Sequence, residues 1–187
     1  TIYFGAGVKM GKSEVVNALA KQIIVDDGLP CMLVKPEESV NKTYQMLVGK
    51  AAGRIFHDPK IPFDYEAFDK AEPLIGDKAI ILDSYQFINW DNLKNDIKYA
   101  VTVQGVQDVI LDPITAFTNQ LGVGEANEFL VKMAAELSAM AKDLDFTAYI
   151  FCHLKAPESG DPHERGGKVL SYQFAGSRAM MRSCNYM

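Results

Sequence analysis

Cysteine, histidine and long apolar runs are scarce in this sequence, and each scarcity excludes a class of protein. The three cysteines, at positions 31, 152 and 184, stand far apart and form no Cys-x-x-Cys pair, so neither a disulfide framework nor a zinc site is indicated. The three histidines also lack the spacing of metal ligands. No apolar run approaches the roughly 18 residues that a membrane span needs. We expect a protein of the reducing cytosol without a membrane partner.

Positive charge is also in short supply. The 19 basic residues are outnumbered by 24 acidic ones, which gives a net charge of -5 and a pI of about 5.2. That balance disfavours a surface that is basic throughout, although a ring-forming protein can confine its nucleic-acid contacts to a few loops. The chain has 187 residues, 48% of them hydrophobic, and no repeat or linker. It is therefore predicted to form one domain over residues 1–187.

Short β-rich runs alternate with helix-length stretches along the chain, and they end near Phe4, Lys35, Asp83, Asp112 and Cys152. Because most of these runs are apolar without alternation, they suit a parallel sheet covered on both faces. Apolar residues at helical spacing predict amphipathic helices over residues 11–27 and 125–144. The proline-rich segment 57–76 is predicted to hold a short helical piece, and the segment 156–167 to be a mobile loop. The pattern predicts an α/β fold, whose ligands bind at the carboxyl ends of the strands.

The sharpest motif lies between the first strand and the first helix. The residues Ala6-Gly7-Val8-Lys9-Met10-Gly11-Lys12-Ser13 match the phosphate-binding P-loop, except that Ala6 stands where the strict pattern has glycine. Gly7 and Gly11 would let backbone N–H groups turn toward phosphate oxygens, beside the positive end of the helix dipole. Lys12 is then expected to reach the β and γ phosphates, and Ser13 to bind Mg²⁺. The motif predicts a site for Mg²⁺ and ATP or another nucleoside triphosphate.

Hydrolysis of a triphosphate needs carboxylates that hold the Mg²⁺ shell and activate water, and three strand ends offer them. Asp83 and Asp112 each follow an apolar strand, so either fits the metal-binding Walker B position. Glu37 and Glu38 follow the second strand, where a carboxylate could reach water beside the γ phosphate. For Glu38 the alternative is a solvated side chain near the start of the next helix. His153 ends the last strand, either as a contact to the γ phosphate or as a structural residue.

With these residues in order, the whole chain resembles the RecA-like motor domain of the DnaB-type hexameric replicative helicases, closest to the primase-helicases of T-odd phages. Besides the P-loop, the pieces that carry the resemblance are Glu37-Glu38-Ser39, Val109-Ile110-Leu111-Asp112, Cys152-His153-Leu154-Lys155 and Ala175-Gly176-Ser177-Arg178-Ala179. The chain departs from the family at Arg178, where glycine is usual, and at Arg182, at or near a usual glutamine. The resemblance implies a P-loop NTPase with a RecA-like core, in which a mostly parallel sheet is flanked by helices on both faces.

The resemblance also implies roles for individual side chains. Glu37 matches the family's catalytic glutamate, which activates water. Asp112 matches the Walker B aspartate, which would hold Mg²⁺ together with Ser13. His153 matches the phosphate-sensing histidine, so the implied catalytic residues are Glu37, His153 and Lys12.

The loop from residue 155 to residue 173 is implied to enter the central channel of a ring and to contact single-stranded DNA. Its basic residues Lys155, Arg165 and Lys168 stand among glycines, which suits a phosphate backbone followed without reading sequence. Glu158 and Asp161 dilute that charge, and an ordinary solvated loop is the alternative. The implied partners are further copies in a homo-oligomeric ring, a hexamer in this family, single-stranded DNA, and primase and other replisome components. We expect the chain to be a piece of a longer helicase, because it stops before the family's arginine finger.

The leading interpretation is the NTP-hydrolysing motor of a ring-shaped replicative helicase that translocates on single-stranded DNA and unwinds duplex DNA. Two alternatives stay open. One is a RecA-like recombinase or clock-type ATPase that assembles on DNA or protein without unwinding. The other is a nucleotide-binding assembly module with negligible turnover.

Overall fold

A sheet of five parallel strands forms the centre of the computed structural model, which describes residues 1–7, 10–83, 89–157, 160–174 and 184–186. The strands are β1 Ile2–Ala6, β2 Cys31–Val34, β3 Ala79–Leu82, β4 Asp108–Leu111 and β5 Thr147–His153. Their order across the sheet is β1-β5-β4-β2-β3, and every described pairing between them is parallel. All five strands lie where the apolar runs predicted them, so the predicted α/β class is confirmed.

Helices cover both faces of the sheet. They are α1 Lys12–Lys21, α2 Val40–Ala52, α3 Tyr65–Ile75, α4 Trp90–Thr102 and α5 Val123–Asp143. The first three pack on one face, where Cys31 and Leu33 of β2 join their core, and the last two pack on the other, where Met32 and Val34 point. Because both faces are covered, successive strand residues are mostly apolar, and this explains the lack of alternation in the sequence.

The helix starts follow from local sequence. Ser39 caps α2, since its hydroxyl accepts from Lys42 N at 3.4 Å, and Asp64 caps α3, since its carboxylate accepts from Ala67 N at 3.1 Å. With that cap, α3 runs for 11 residues, longer than the short piece predicted, and tolerates Pro73 in its last turn. The first predicted helix is α1, extended by a π-helical stretch at Gln22–Asp26.

Because the strands are parallel, the segments that follow them all leave the same end of the sheet. Those after β1, β5, β4 and β2 leave adjacent strands, and β3 is the edge strand farthest from β1. Asp112 N donates to Val34 O at 2.9 Å, which joins the ends of β4 and β2. On the other side of β1, Tyr3 N donates to Tyr186 O at 3.0 Å. Among the described residues, no helix has the length and apolar character needed to cross a membrane.

Candidate active site

The turn between β1 and α1 presents backbone N–H groups. Gly11 precedes the helix with φ 82° and ψ 19°, a left-handed conformation that favours glycine. Within the described part of the chain no side chain caps α1, and Glu14 N already donates to Gly11 O at 3.0 Å. The N–H groups of Lys12 and Ser13 therefore have no intrahelical acceptor and lie at the positive end of the helix. Val8 and Lys9 of the motif lie outside the described residues.

Lys12 and Asp112 form an ion pair in the candidate site, although they are 100 positions apart. Lys12 Nζ lies 2.5 Å from Asp112 Oδ1, and only 4% of the Asp112 side chain is exposed. A carboxylate this deeply buried needs a cationic partner, and the ammonium group supplies it. Ser13, half-buried in the same first turn of α1, adds a hydroxyl oxygen.

A divalent cation fits this donor set. Asp112 and Ser13 offer hard oxygen ligands of the kind that Mg²⁺ takes beside phosphate oxygens and water. Over residues 1–7, 10–83, 89–157, 160–174 and 184–186, no group of three or more His, Cys, Asp or Glu side chains forms a metal cage. Asp112 and Ser13 together suit a cation that arrives with a polyphosphate, because such a cation needs few protein ligands.

The two candidate Walker B aspartates occupy different surroundings. Asp83 directly follows β3, the strand at the far side of the sheet, and is exposed. Asp112 directly follows β4, which lies next to β5, and pairs with the P-loop lysine. Since β2 separates β3 from β4, the geometry favours Asp112 over Asp83 as the partner of the P-loop.

Glu37 and His153 meet across the end of β4. Glu37 Oε1 lies 3.4 Å from His153 Nε2, which donates to it when that nitrogen carries the proton. The side chains are 49% and 36% exposed respectively, so both are open to solvent and to a ligand. They extend from β2 and β5, the two neighbours of β4, and so flank the strand end that carries Asp112.

Glu38, in contrast, faces the interior. Its side chain is 12% exposed, with Oε2 2.5 Å from Lys35 Nζ and Oε1 3.6 Å from Lys42 Nζ. Burial by itself would raise the pKa of Glu38, but the two ammonium groups outweigh it and hold the pKa below its ordinary value. The alternative of a solvated Glu38 is therefore wrong, because a buried ion pair holds this carboxylate.

The loop after β5 folds back onto the P-loop. Its base is closed by a hydrogen bond from Lys155 N to Gln173 O at 2.7 Å. His163, which is buried, packs so closely on Gly7 that a Cβ at position 7 would lie 2.9 Å from His163 Cβ. His163 Nε2 also lies 3.3 Å from Gln173 Oε1. Neither His163 nor Gln173 was predicted from the sequence, because no motif or spacing marks them.

The three predicted DNA-contacting residues Lys155, Arg165 and Lys168 are all exposed on this loop. Apart from two short 3₁₀ turns, at His163–Arg165 and Ser171–Gln173, the described part of the loop has no helix or strand. Glu158, the segment 175–179 with Arg178, and Arg182 lie outside the described residues.

A cleft of about 860 Å³ adjoins Glu37. Its walls come from the start of α4, from residues 116–121 and from α5, with Trp90, Phe117 and Phe129 as the aromatic lining. The sequence patterns did not predict this cleft, because it is formed by segments that are far apart along the chain. It leaves open space next to one of the candidate catalytic side chains.

A phage protein is similar in sequence to nearly the whole chain. No family model matches the chain. It is 29% identical over 181 residues to a DNA helicase/primase of Enterobacteria phage T3, an alignment that covers 94% of this chain and 32% of that protein. The chain is a homologue of a phage helicase/primase. It spans less than a third of that relative's length.

Solved structures share the fold. One of them, an ATPase domain, superimposes with a TM-score of 0.73 at 15% identity, over 98% of this chain and 66% of the other. A DnaB-like replicative helicase, described with its interactions with primase, superimposes with a TM-score of 0.70 at 16% identity, over 98% of this chain and 45% of the helicase. Together with the phage homologue, this fold confirms the resemblance to the RecA-like ATPase domains of DnaB-type helicases that the motifs indicated.

Proposed function

We propose that the chain is the ATP-hydrolysing motor domain of a replicative DNA helicase that forms a homo-oligomeric ring, a hexamer, and translocates on single-stranded DNA to unwind the duplex. The observation that carries this proposal is the 2.5 Å contact between Lys12 Nζ and Asp112 Oδ1 at the start of α1. Homology to a DNA helicase/primase and the fold shared with a solved ATPase domain support it.

The phosphates of the nucleotide bind at the start of α1. The N–H groups of Lys12 and Ser13 donate to them, and the Lys12 ammonium turns from Asp112 toward the β and γ phosphates. Asp112, released from Lys12, and Ser13 would hold Mg²⁺, which would supply positive charge to the phosphates. Asp112 would thus exchange one cationic partner for another, which matters because an unpaired buried carboxylate is costly.

Glu37 orients and deprotonates the attacking water. Its carboxylate is half exposed and extends from β2, the neighbour of the strand that leads to Asp112, which supports its role as a general base. His153, 3.4 Å from Glu37, contacts the γ phosphate from the other side and loses that contact on hydrolysis. The pair therefore links the chemical step to the segment that follows His153.

The loop from 155 to 173 carries that signal to DNA. Leu154 and Phe174 at its base pack on Gly5, and His163 packs on Gly7, so the strand that leads into the P-loop and the start of the P-loop both contact this region. Lys155, Arg165 and Lys168 face solvent and bind the DNA backbone as the ring moves along one strand. Primase and other replisome components are the further partners of the assembled ring.

Two substitutions test the nucleotide site. Lys12→Ala removes the charge aimed at the phosphates, so nucleotide binding or turnover is expected to be abolished. Glu37→Gln is expected to keep binding, measured with a fluorescent ATP analogue, while steady-state phosphate release falls by roughly 10²-fold or more, as loss of a general base predicts. Asp83→Asn, at the far strand, is the matched control and should keep wild-type rates. Unchanged ATPase activity in Lys12→Ala would refute the site.

A second experiment tests the DNA contacts. The triple variant Lys155→Ala, Arg165→Ala, Lys168→Ala is expected to bind fluorescent oligothymidine more weakly. The slope of log K against log salt concentration should be shallower by about 2, since each lost phosphate contact removes about 0.7 from it. The control removes three exposed lysines that lie away from this loop, Lys78, Lys98 and Lys142. Equal salt slopes in the two triple variants would exclude the loop as the DNA contact.

Strand displacement separates the proposal from its alternatives. A helicase displaces the labelled strand of a forked duplex when ATP is supplied, whereas a recombinase or clock-type ATPase hydrolyses ATP without displacement. An assembly module binds ATP with negligible turnover, with or without DNA. Ring size is measured by mass photometry in the presence of nucleotide.

A further inference from the structure

A tight turn carries Glu37 at the end of β2. Glu38 N donates to Lys35 O at 3.0 Å, which closes a four-residue β-turn with Pro36 and Glu37 at its centre. Pro36 fixes its own φ and so stiffens the turn at the residue before Glu37. The Glu37 side chain itself is half exposed, and its described side-chain contact is the one with His153. Its position therefore depends on what holds the turn.

A buried ammonium group holds the two ends of this turn together. Lys35 is 2% exposed, and its Nζ lies 2.5 Å from Glu38 Oε2, across the base of the turn that the backbone hydrogen bond also closes. Lysine is almost never fully buried unless it is paired, and here the pairing is specific. The backbone bond and the ion pair together restrain the same four residues.

The same ammonium group ties the turn to the P-loop helix. Lys35 Nζ donates to Asn17 Oδ1 at 3.3 Å, and Asn17 is fully buried on α1. On the side of α2, Thr43 Oγ1 donates to Glu38 Oε2 at 3.5 Å, and Thr43 is also fully buried. Lys35 follows Leu33 on the face of the sheet that packs against α1 and α2, so its side chain reaches both helices.

We propose that Lys35 is a positioning residue for Glu37: its buried ammonium group fixes the turn that carries Glu37 relative to the P-loop helix. This inference rests on the proposed function, because Glu37 is the base in that proposal. Lys35 is itself 2% exposed, which sets it apart from the half-exposed Glu37. It acts by holding Glu38 and Asn17, one on the turn and the other on α1.

Lys42 provides a matched comparison. It pairs with the same Glu38 carboxylate, at 3.6 Å, but from the outside, with half of its side chain exposed. An exposed ion pair of this kind contributes little, since solvent screens it and the long side chain stays mobile. Lys42 shares with Lys35 the contact to Glu38, whereas the described contact with Asn17 on α1 is made by Lys35. If Lys35 fixes the turn relative to α1, its removal should impair turnover and removal of Lys42 should not.

The test compares Lys35→Met with Lys42→Met in steady-state ATPase assays. Lys35→Met is expected to lower kcat by about 10- to 100-fold, because displacement of a catalytic group by about 1 Å has that effect. KM and the affinity for a fluorescent ATP analogue should stay within about twofold of wild type. Lys42→Met should leave kcat within about twofold. Equal effects of the two substitutions, or a rise in KM without loss of kcat, would overturn the inference.

A second readout asks whether Lys35 works through Glu37. In the Glu37→Gln background, Lys35→Met should lower the residual rate by less than twofold, since no base is left to position. A further 10-fold loss there would contradict the inference and point to a general structural role. Should Lys35→Met fail to fold, the pair Lys35→Met, Glu38→Gln leaves no unpaired buried charge and carries the same expectation.

A structural readout separates failure of this inference from failure of the proposed function. If Lys12→Ala and Glu37→Gln leave ATPase activity unchanged, the proposed function is wrong, and the position of Glu37 is read from a crystal structure of Lys35→Met. There Glu37 should no longer lie within hydrogen-bond distance of His153. A Glu37–His153 distance unchanged from 3.4 Å would overturn the inference whatever the turnover.

Discussion

Replacement of Gly5 by alanine is expected to destabilise the protein and to loosen the loop that follows β5. A Cβ added at position 5 would lie 2.6 Å from Leu154 Cδ2 and 2.6 Å from Phe174 Cζ. Carbon atoms in contact are normally about 3.5–4.0 Å apart, so both side chains must move by about 1 Å. Both are 7% exposed and packed in the core below the loop, so they cannot yield without disturbing it. Overpacking of this kind costs about 1–3 kcal/mol.

Urea-induced unfolding followed by circular dichroism measures this cost. The control is Gly124→Ala, on the exposed first turn of α5, where an added Cβ meets no atom within 4 Å. Alanine there should be neutral or stabilise the protein by about 0.5–1 kcal/mol, because glycine is the poorer helix former. Limited trypsin digestion should cleave Gly5→Ala faster than wild type after Arg165 or Lys168, since the base of the loop is opened.

A double-mutant cycle isolates the contact. Leu154→Ala is destabilising alone, but it makes room for the new Cβ, so the cost of Gly5→Ala should shrink in that background. A Gly5→Ala variant as stable as wild type within about 0.5 kcal/mol would show that Leu154 and Phe174 yield freely. Costs of the two substitutions that simply add would show that the new Cβ does not meet Leu154.

Two further predictions concern neighbouring contacts. Gly7→Ala places a Cβ 2.9 Å from His163 Cβ, so it should speed tryptic cleavage of the loop that follows β5. The control Ala6→Gly, which restores the strict motif, should not. Equal cleavage rates in the two variants would contradict the packing of His163 on Gly7. Burial raises the pKa of Glu38, but Lys35 and Lys42 outweigh that effect and hold the pKa below its ordinary value of 4.5. Ionised Glu38 therefore stabilises the fold above about pH 4.5 and loses that effect as the pH falls through its lowered pKa. The difference in unfolding free energy between wild type and Glu38→Gln should therefore be constant from pH 7 to about pH 5 and shrink on further acidification, and a difference that grew would reverse the sign of this argument.

Local sequence patterns were sufficient to predict the positions of the strands, of the main helices and of the P-loop. An uninterrupted apolar run ending in a polar residue predicts a buried parallel strand wherever it occurs, and a P-loop needs only a strand, glycines and a helix within one short segment. The length of α3 could not be predicted in the same way, because prolines surround it. Asp64 caps this helix, and aromatic packing between Phe56 and Phe68 supports it.

Long-range contacts decided what those patterns left open. Asp83 and Asp112 look equivalent in sequence, since each follows an apolar strand, and only the position of β5 between β1 and β4 brings Asp112 to Lys12. Glu38 could equally have been solvated, because nothing local shows that Lys35 turns inward to meet it. The contact between His163 and Gly7 joins segments more than 150 positions apart and leaves no sequence signal.

The sequence by itself determined the α/β class and the chemistry available at the strand ends, because backbone periodicity and the P-loop depend on neighbours along the chain. The tertiary structure alone decided which carboxylate meets the P-loop lysine, which glutamate is half exposed and which pairs with the buried Lys35, and how the loop after β5 rests on Gly5 and Gly7. Those outcomes depend on strand order and on the packing of distant side chains, and neither is encoded in a short segment.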